Sequence, residues 1–147
     1  MLFRSSADAL AVATTNARRH GVEKKIGFLQ SDVLEALSGS WRADVIVSNP
    51  PYVASGELAN LPREVKDFEP VRALAAGEDG LEIIQRLVMT AGRCLSPAGF
   101  MALEIGAGQR PAVEQLLRRA GFARVEVVQD LQGLERVIVA QPQLKTQ

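Results

Sequence analysis

The chain has 147 residues, of which 47% are hydrophobic and 23% charged, and its 17 lysines and arginines balance 17 aspartates and glutamates. These values predict one soluble globular domain, and the balanced charge disfavours nucleic acid as a partner. A single cysteine excludes an intrachain disulfide, and the lack of a long apolar stretch or a recognisable signal peptide predicts a cytoplasmic location away from membranes.

The segment before residue 44 is predicted to form a helix and a short strand. Apolar residues at helical spacing indicate a helix that begins at Ser6 and ends near residue 20, where Gly21 suits a left-handed cap. A short apolar run then predicts a strand that ends at Asp32. Residues 34–43 are expected to connect this strand to the next one.

The most informative stretch is Asp-Val-Ile-Val-Ser-Asn-Pro-Pro-Tyr at residues 44–52. Its three consecutive β-branched residues, without polar alternation, predict a strand that is buried on both faces. Asn49 follows at the carboxyl end of that strand, which is the side of an open α/β sheet where ligands bind. The sequence therefore predicts a ligand site at residues 49–52.

The residues of this corner suit the recognition of a planar NH2 group. Pro50 and Pro51 lack N–H donors and fix two successive φ angles, so the turn is stiff. The side-chain oxygen of Asn49 and a proline carbonyl can accept the two N–H groups, and the Tyr52 ring can pack against the flat group. Asn49, Pro50 and Tyr52 are the predicted catalytic residues, and Pro51 joins them in the predicted substrate site. The alternative is a turn that only closes a core strand.

The chain after Tyr52 begins with a long irregular loop at residues 53–77, a candidate lid or docking surface. A helix is predicted from Asp79 until Pro97–Gly99 stops it, and a strand is predicted at residues 100–105. Glu104-Ile-Gly106, at the carboxyl end of that strand, again lies on the ligand edge of the sheet. Glu104 is expected to hold neighbouring loop amides, and the alternative is a functional carboxylate.

The last part of the chain is predicted to contain one more helix and a hairpin. The helix begins at Pro111 and is closed by Gly121. Alternating valines on both sides of Gln132-Gly133 predict a final antiparallel hairpin, and residues 141–147 are expected to form a polar tail.

Several motifs, taken in order, are similar to those of one enzyme family. Asn-Pro-Pro-Tyr after an apolar strand resembles the signature of methyltransferases that alkylate planar amino nitrogens. The whole set resembles the HemK-type release-factor glutamine methyltransferases over residues 6–140, and only the carboxyl-terminal part of their catalytic domain. The set comprises Leu29-Gln-Ser-Asp32, Phe68-Glu-Pro70, Gly77-Glu-Asp-Gly-Leu81, Leu103-Glu-Ile-Gly106 with Gln109, and Asp130 with Glu135-Arg-Val137.

The resemblance implies an α/β fold with a Rossmann-like class I methyltransferase sheet, mainly parallel with an antiparallel final strand. It implies S-adenosylmethionine as the cofactor, with Asp32 accepting from the adenine amine, Val33 against the adenine ring and Asn49 also in contact. For Asp32 the alternative is a loop aspartate that caps a helical turn. The implied reaction is methyl transfer to the side-chain amide N5 of the glutamine in the Gly-Gly-Gln motif of peptide chain release factors.

Two features of that family have no counterpart in the sequence, namely its amino-terminal strand and its glycine-rich loop. Residues 1–147 are therefore expected to form a partial S-adenosylmethionine-dependent methyltransferase domain. Arg4 stands where the resemblance places an acidic residue for the ribose hydroxyls, and a guanidinium cannot accept hydrogen bonds. One alternative is an amino-methyltransferase of nucleic acid or of a ribosomal-protein glutamine. Another is a truncated, non-catalytic remnant that could dimerise through an open sheet edge.

Overall fold

The computed structural model describes residues 1–37 and 41–143. The chain divides into two compact units, residues 1–41 and residues 42–147. Residues 38–40 of the predicted connection and the last four residues of the predicted tail lie outside the described ranges. Within those ranges, no helix is both long enough and apolar enough to cross a membrane.

The amino-terminal unit is a strand, a helix and a second, parallel strand. Strand β1 (Leu2–Arg4) pairs with β2 (Phe28–Gln30), and helix α1 (Ala7–Arg19) connects them. The Ser6 hydroxyl oxygen accepts the Ala9 N–H at 3.3 Å, which satisfies one free donor at the start of the helix. The helix is followed by Gly21 in the left-handed region, φ 66°. The predicted helix is confirmed, whereas the strand ends two residues earlier than predicted.

The carboxyl-terminal unit contains a four-stranded mixed sheet. Its strands are β3 (Ala43–Ser48), β4 (Leu95–Glu104), β5 (Phe122–Gln129) and β6 (Glu135–Pro142), in the order β3-β4-β6-β5. Strand β3 is parallel to β4, whereas β6 is antiparallel to both β4 and β5. Three strands therefore run in one direction, and their carboxyl ends share one edge of the sheet. The predicted mainly parallel sheet with an antiparallel final strand is confirmed.

Two longer helices cover one face of this sheet. They are α3 (Glu82–Cys94) and α4 (Arg110–Arg119), while α2 (Arg63–Lys66) is a single turn in the loop after the corner. The core between helices and sheet is fully buried, and each large aliphatic side chain there stabilises the fold by about 1.5–3 kcal/mol. Its largest members are Ile84, Val88, Met101, Leu103, Ile105, Val113, Leu117 and Ile138.

The prediction that the strand before Asn49 is buried on both faces is wrong. Ile46 is 8% exposed, but Val45 is 47% and Val47 is 77% exposed. Strand β3 has only one neighbour in its sheet, and only Ala43 and Ile46 of its six residues are buried. A run of β-branched residues indicates a strand but does not distinguish an edge strand from a central one.

The boundary between α3 and β4 also differs from the prediction. Strand β4 begins at Leu95, directly after the helix, so Pro97–Gly99 lie inside the strand. Ala43 pairs with Leu95 and Val45 with Phe100, so the register shifts there. This irregularity accommodates the proline because an unpaired stretch needs no N–H donor at that position.

Candidate functional site

The Asn49–Tyr52 corner lies directly after β3, at the edge of the sheet where β4 and β5 also end. Asn49 is exposed, Pro50 is buried, and Pro51 and Tyr52 are partly buried. None of the side-chain hydrogen bonds within the described part of the chain involves Asn49. Its amide is thus exposed beside the buried Pro50 and can still accept a hydrogen bond from a ligand. Its role in binding a flat NH2 group stays a prediction.

Tyr52 joins the corner to the end of β4. Its hydroxyl donates a long hydrogen bond of 3.4 Å to Glu104 Oε1. Burial raises the pKa of the Tyr52 phenol, the negative charge of Glu104 raises it further, and the nearby Arg136 opposes both effects. The phenol therefore stays protonated at neutral pH and acts as a donor. The expectation that Glu104 holds loop amides is wrong, because the Gly106 N–H donates to another residue.

That residue is Gln109, to which the sequence assigned no role. Its Oε1 accepts the Gly106 N–H at 2.9 Å, and its Nε2 donates to the carbonyl of Tyr52 at 3.0 Å and to that of Gly80 at 3.2 Å. Gln109 is also the residue that precedes α4. The signals for it were its place in the motif with Leu103–Gly106 and its position shortly after a β-strand, neither of which shows its distant partners.

The chain that leaves the corner is tied back onto itself. Val53 forms a parallel bridge with Ala75, and both the backbone N–H and the hydroxyl of Ser55 donate to the carbonyl of Gly77, at 2.8 and 2.9 Å. The helical turns between these two ends bury none of their residues. Phe68 is 83% exposed there. The role of this loop as a lid or docking surface stays a prediction.

The turn between β5 and β6 is ordered by one carboxylate. Asp130 accepts the backbone N–H groups of Gln132 and Leu134 at 2.8 and 3.0 Å, and Arg136 Nε at 3.2 Å. The Leu134 N–H is the main reason why the pKa of Asp130 is lowered; the Gln132 N–H and Arg136 act in the same direction. The carbonyl of Arg136 in turn accepts the Ile105 N–H at 2.9 Å, which connects this turn to the end of β4.

Asp32 and Val33 belong to the amino-terminal unit, in a turn after β2. The buried Ser31 orders this turn, because its hydroxyl oxygen accepts the Ala36 N–H at 3.1 Å. Asp32 is exposed, and Val33 adopts φ 53°, a left-handed conformation that a β-branched residue rarely takes. Such strain costs on the order of 1–3 kcal/mol and is often found at ligand sites. The assignment of Asp32 and Val33 to the cofactor stays a prediction.

Arg4 does not fit the role of a ribose ligand. Its exposed guanidinium donates to the Phe3 carbonyl at 2.8 Å, and it offers no lone pair to a ribose hydroxyl. At position 4 the chain therefore does not supply the acceptor that ribose hydroxyls need. In the described ranges there is no cluster of three or more His, Cys, Asp or Glu side chains that could bind a metal.

Comparison with known proteins shows that the chain is similar to methyltransferases. The family model described as "Methyltransferase small domain" matches residues 1–63. The release factor glutamine methyltransferase of Nitratidesulfovibrio vulgaris is 41% identical over 141 residues, which is 95% of this chain and 48% of that protein. The enzyme of the same name from Cereibacter sphaeroides is 44% identical over 132 residues, 90% of this chain and 47% of that protein. The resemblance is confirmed, and the chain spans about half the length of these relatives.

Solved structures show the same fold at low sequence identity. A ribosomal protein L11 methylase from Lactobacillus delbrueckii subsp. bulgaricus has a TM-score of 0.64 at 16% identity, covering 95% of this chain and 56% of that one. A methyltransferase from Pyrococcus furiosus has a TM-score of 0.65 at 16% identity, covering 94% and 59%. These similarities confirm the predicted class I methyltransferase fold.

Proposed function

We propose, from its similarity to release factor glutamine methyltransferases over nearly its whole length, that this chain holds the target nitrogen of such an enzyme. The reaction is methyl transfer to the side-chain amide N5 of the glutamine in a Gly-Gly-Gln motif of a peptide chain release factor. The similarity to methyltransferases implies S-adenosylmethionine, which supplies an electrophilic methyl group when it is bound.

The observation that carries this proposal is the exposed Asn49 amide next to the buried Pro50 at the carboxyl edge of the sheet. An amide nitrogen is a poor nucleophile because its lone pair is delocalised into the carbonyl. Two acceptors on its N–H groups, the Asn49 oxygen and a proline carbonyl, fix its plane and favour the positive charge that develops on nitrogen. Orientation therefore provides most of the catalysis that this chain contributes.

In this scheme the Tyr52 ring packs against the target amide, and its hydroxyl donates a hydrogen bond to Glu104. Its raised pKa keeps the phenol protonated, so it does not serve as a base at neutral pH. A strong base is not needed, because the proton leaves the nitrogen for solvent after the methyl group has been transferred. The role of the Tyr52 ring is to pack against one face of the flat amide and limit its position.

The experiment is methyl transfer to a purified release factor, measured by mass spectrometry of the peptide that contains the Gly-Gly-Gln motif. The expected result is one added methyl group on the glutamine. A release factor in which this glutamine is replaced by asparagine is the control and should gain none. Transfer to the asparagine variant, or to a ribosomal protein but not to the release factor, would contradict the proposed substrate.

A further inference from the structure

The side-chain amide of Gln109 uses all its donors to connect three segments that are far apart in the chain. It binds the Gly106 N–H at the end of β4, the carbonyl of Gly80 before α3, and the carbonyl of Tyr52 in the corner. One side chain therefore fixes the last residue of the corner to two other loops at the same edge of the sheet.

Gln109 is itself held firmly. Its N–H donates to the Gly106 carbonyl at 3.2 Å, and its carbonyl accepts the Val113 N–H at 3.0 Å in the first turn of α4. Its backbone is thus fixed by the helix on one side and the strand end on the other. The amide consequently has little freedom to follow the corner if the corner moves.

The space around this amide is closed. A Cβ at Gly80 would lie 2.8 Å from Gln109 Nε2, and a Cβ at Gly106 would lie 2.9 Å from Gln109 Oε1 and 3.1 Å from Tyr52 Cδ2. Both glycines are buried. Because neither position has room for a side chain, the three segments meet at one defined distance from the amide.

We propose that Gln109 is a positioning residue, which holds the Tyr52 carbonyl so that the Asn49–Tyr52 corner keeps the geometry needed to orient a target amide. This inference rests on the proposed function of the corner. The backbone carbonyl of Tyr52 is held by Gln109 and its hydroxyl by Glu104, so the residue is fixed at both ends of its long axis. Gln109 acts through Tyr52 and does not itself contact the substrate.

The substitution Gln109→Glu separates the two functions of this amide. The carboxylate keeps an oxygen that can accept the Gly106 N–H, but it replaces the donor by a charged oxygen about 3 Å from two carbonyl oxygens. Repulsion should then move the Tyr52 carbonyl and leave the anchorage at Gly106. Gln109→Met, which is neutral and of similar length, removes both the acceptor for the Gly106 N–H and the donor to the two carbonyls. Gln115→Glu is the matched control, because Gln115 is exposed on α4, the helix that Gln109 precedes.

Tyr52 is the only tyrosine of the chain, so its ring can be observed directly. With fluorotyrosine incorporated at this one position, ¹⁹F NMR of the folded chain should give a shifted and broadened signal for Gln109→Glu and Gln109→Met. The signal of Gln115→Glu should coincide with that of the wild type. Circular dichroism shows whether each variant is folded. If Gln109→Glu is unfolded, the fluorine signal of Gln109→Met tests whether Gln109 positions Tyr52.

In the methyl-transfer assay, Gln109→Glu should lower kcat about 100-fold, since a displacement of about 1 Å has this effect, while KM for the release factor changes less than about threefold. An unchanged fluorine signal in a folded Gln109 variant, or a raised KM with unchanged kcat, would overturn the inference. If the wild type transfers no methyl group, the proposed function fails, and the fluorine signal alone still decides whether Gln109 positions Tyr52.

Discussion

The carbonyl oxygen of Tyr52 lies only 2.4 Å from the position that a Cβ at Gly80 would occupy. Gly80 is buried and adopts φ 73°, a conformation that favours glycine. The segment that leads into α3 can therefore pass the corner only because it has no side chain there. This contact makes the corner sensitive to a residue that is 28 positions away from Tyr52 in the sequence.

We expect Gly80→Ala to lower the free energy of unfolding by about 2–5 kcal/mol. The left-handed backbone costs about 1–2 kcal/mol, and the clash with the Tyr52 carbonyl adds about 1–3 kcal/mol. Urea unfolding measures the sum. Gly108→Ala is the matched control, because Gly108 has φ 77° but nothing within 4 Å of its Cβ position. Equal losses for both variants would show that the Tyr52 contact has no energetic effect.

Titration of Tyr52 can be followed by ultraviolet absorbance, since no other tyrosine contributes. Burial and then Glu104 raise its pKa above the ordinary value of about 10. This raised pKa stabilises the fold below pH about 10, and the stabilisation is lost as the pH rises through the folded-state pKa. We expect Glu104→Gln to lower the pKa of Tyr52 only in part, because burial is the larger cause. If the pKa of Tyr52 is unchanged in Glu104→Gln, the charge of Glu104 does not act on the Tyr52 phenol.

The sequence was sufficient for features whose causes are local. Ser6 and Gly21 limit α1 through contacts within a few residues, and the hairpin turn contains Gly133 at φ 80°. The corner was found for the same reason, because a strand followed by two prolines is a local pattern.

Features that depend on distant contacts could not be predicted. Gln109 binds residues 29 and 57 positions away, so no local pattern reveals its role. The exposure of Val47 depends on which strands lie beside β3, and this is a property of the sheet. Glu104 was placed correctly at the ligand edge, but its partner, the Tyr52 hydroxyl, is 52 positions away.

Removal of the Asn49 amide should strongly slow methyl transfer and leave cofactor binding largely intact. We expect Asn49→Ala to lower kcat about 10²–10³-fold, because one acceptor for the developing charge is lost. The affinity for S-adenosylmethionine, measured by titration calorimetry, should stay within about threefold of the wild type. Asn60→Ala, an exposed asparagine in the loop after the corner, should change neither value. Equal losses of transfer and of cofactor affinity would contradict the role of Asn49 in substrate orientation.

Arg4 should limit the affinity of this chain for S-adenosylmethionine. We expect weak binding by the wild type and at least about tenfold tighter binding by Arg4→Glu, since a hydrogen bond to a charged acceptor contributes about 1.5–3 kcal/mol. Arg19→Glu makes the same change of charge at an exposed position of α1 and should have no effect. Tight, stoichiometric binding by the wild type in titration calorimetry would show that the chain needs no acidic residue at position 4.

Self-association through the edge of β3 is expected, since this strand has one neighbour in its sheet and exposes Val45 and Val47. The opposite edge strand, β5, is better protected because Arg124 and Glu126 form an exposed ion pair on it at 2.6 Å. Val47→Lys should therefore raise the dissociation constant of a dimer at least about tenfold in sedimentation experiments, because a lysine on an edge strand opposes pairing. Val128→Lys, at a position that is 50% exposed on β5, is the control and should leave the dimer intact. A chain that stays monomeric at every concentration, or equal effects of the two lysines, would exclude β3 as the dimer contact.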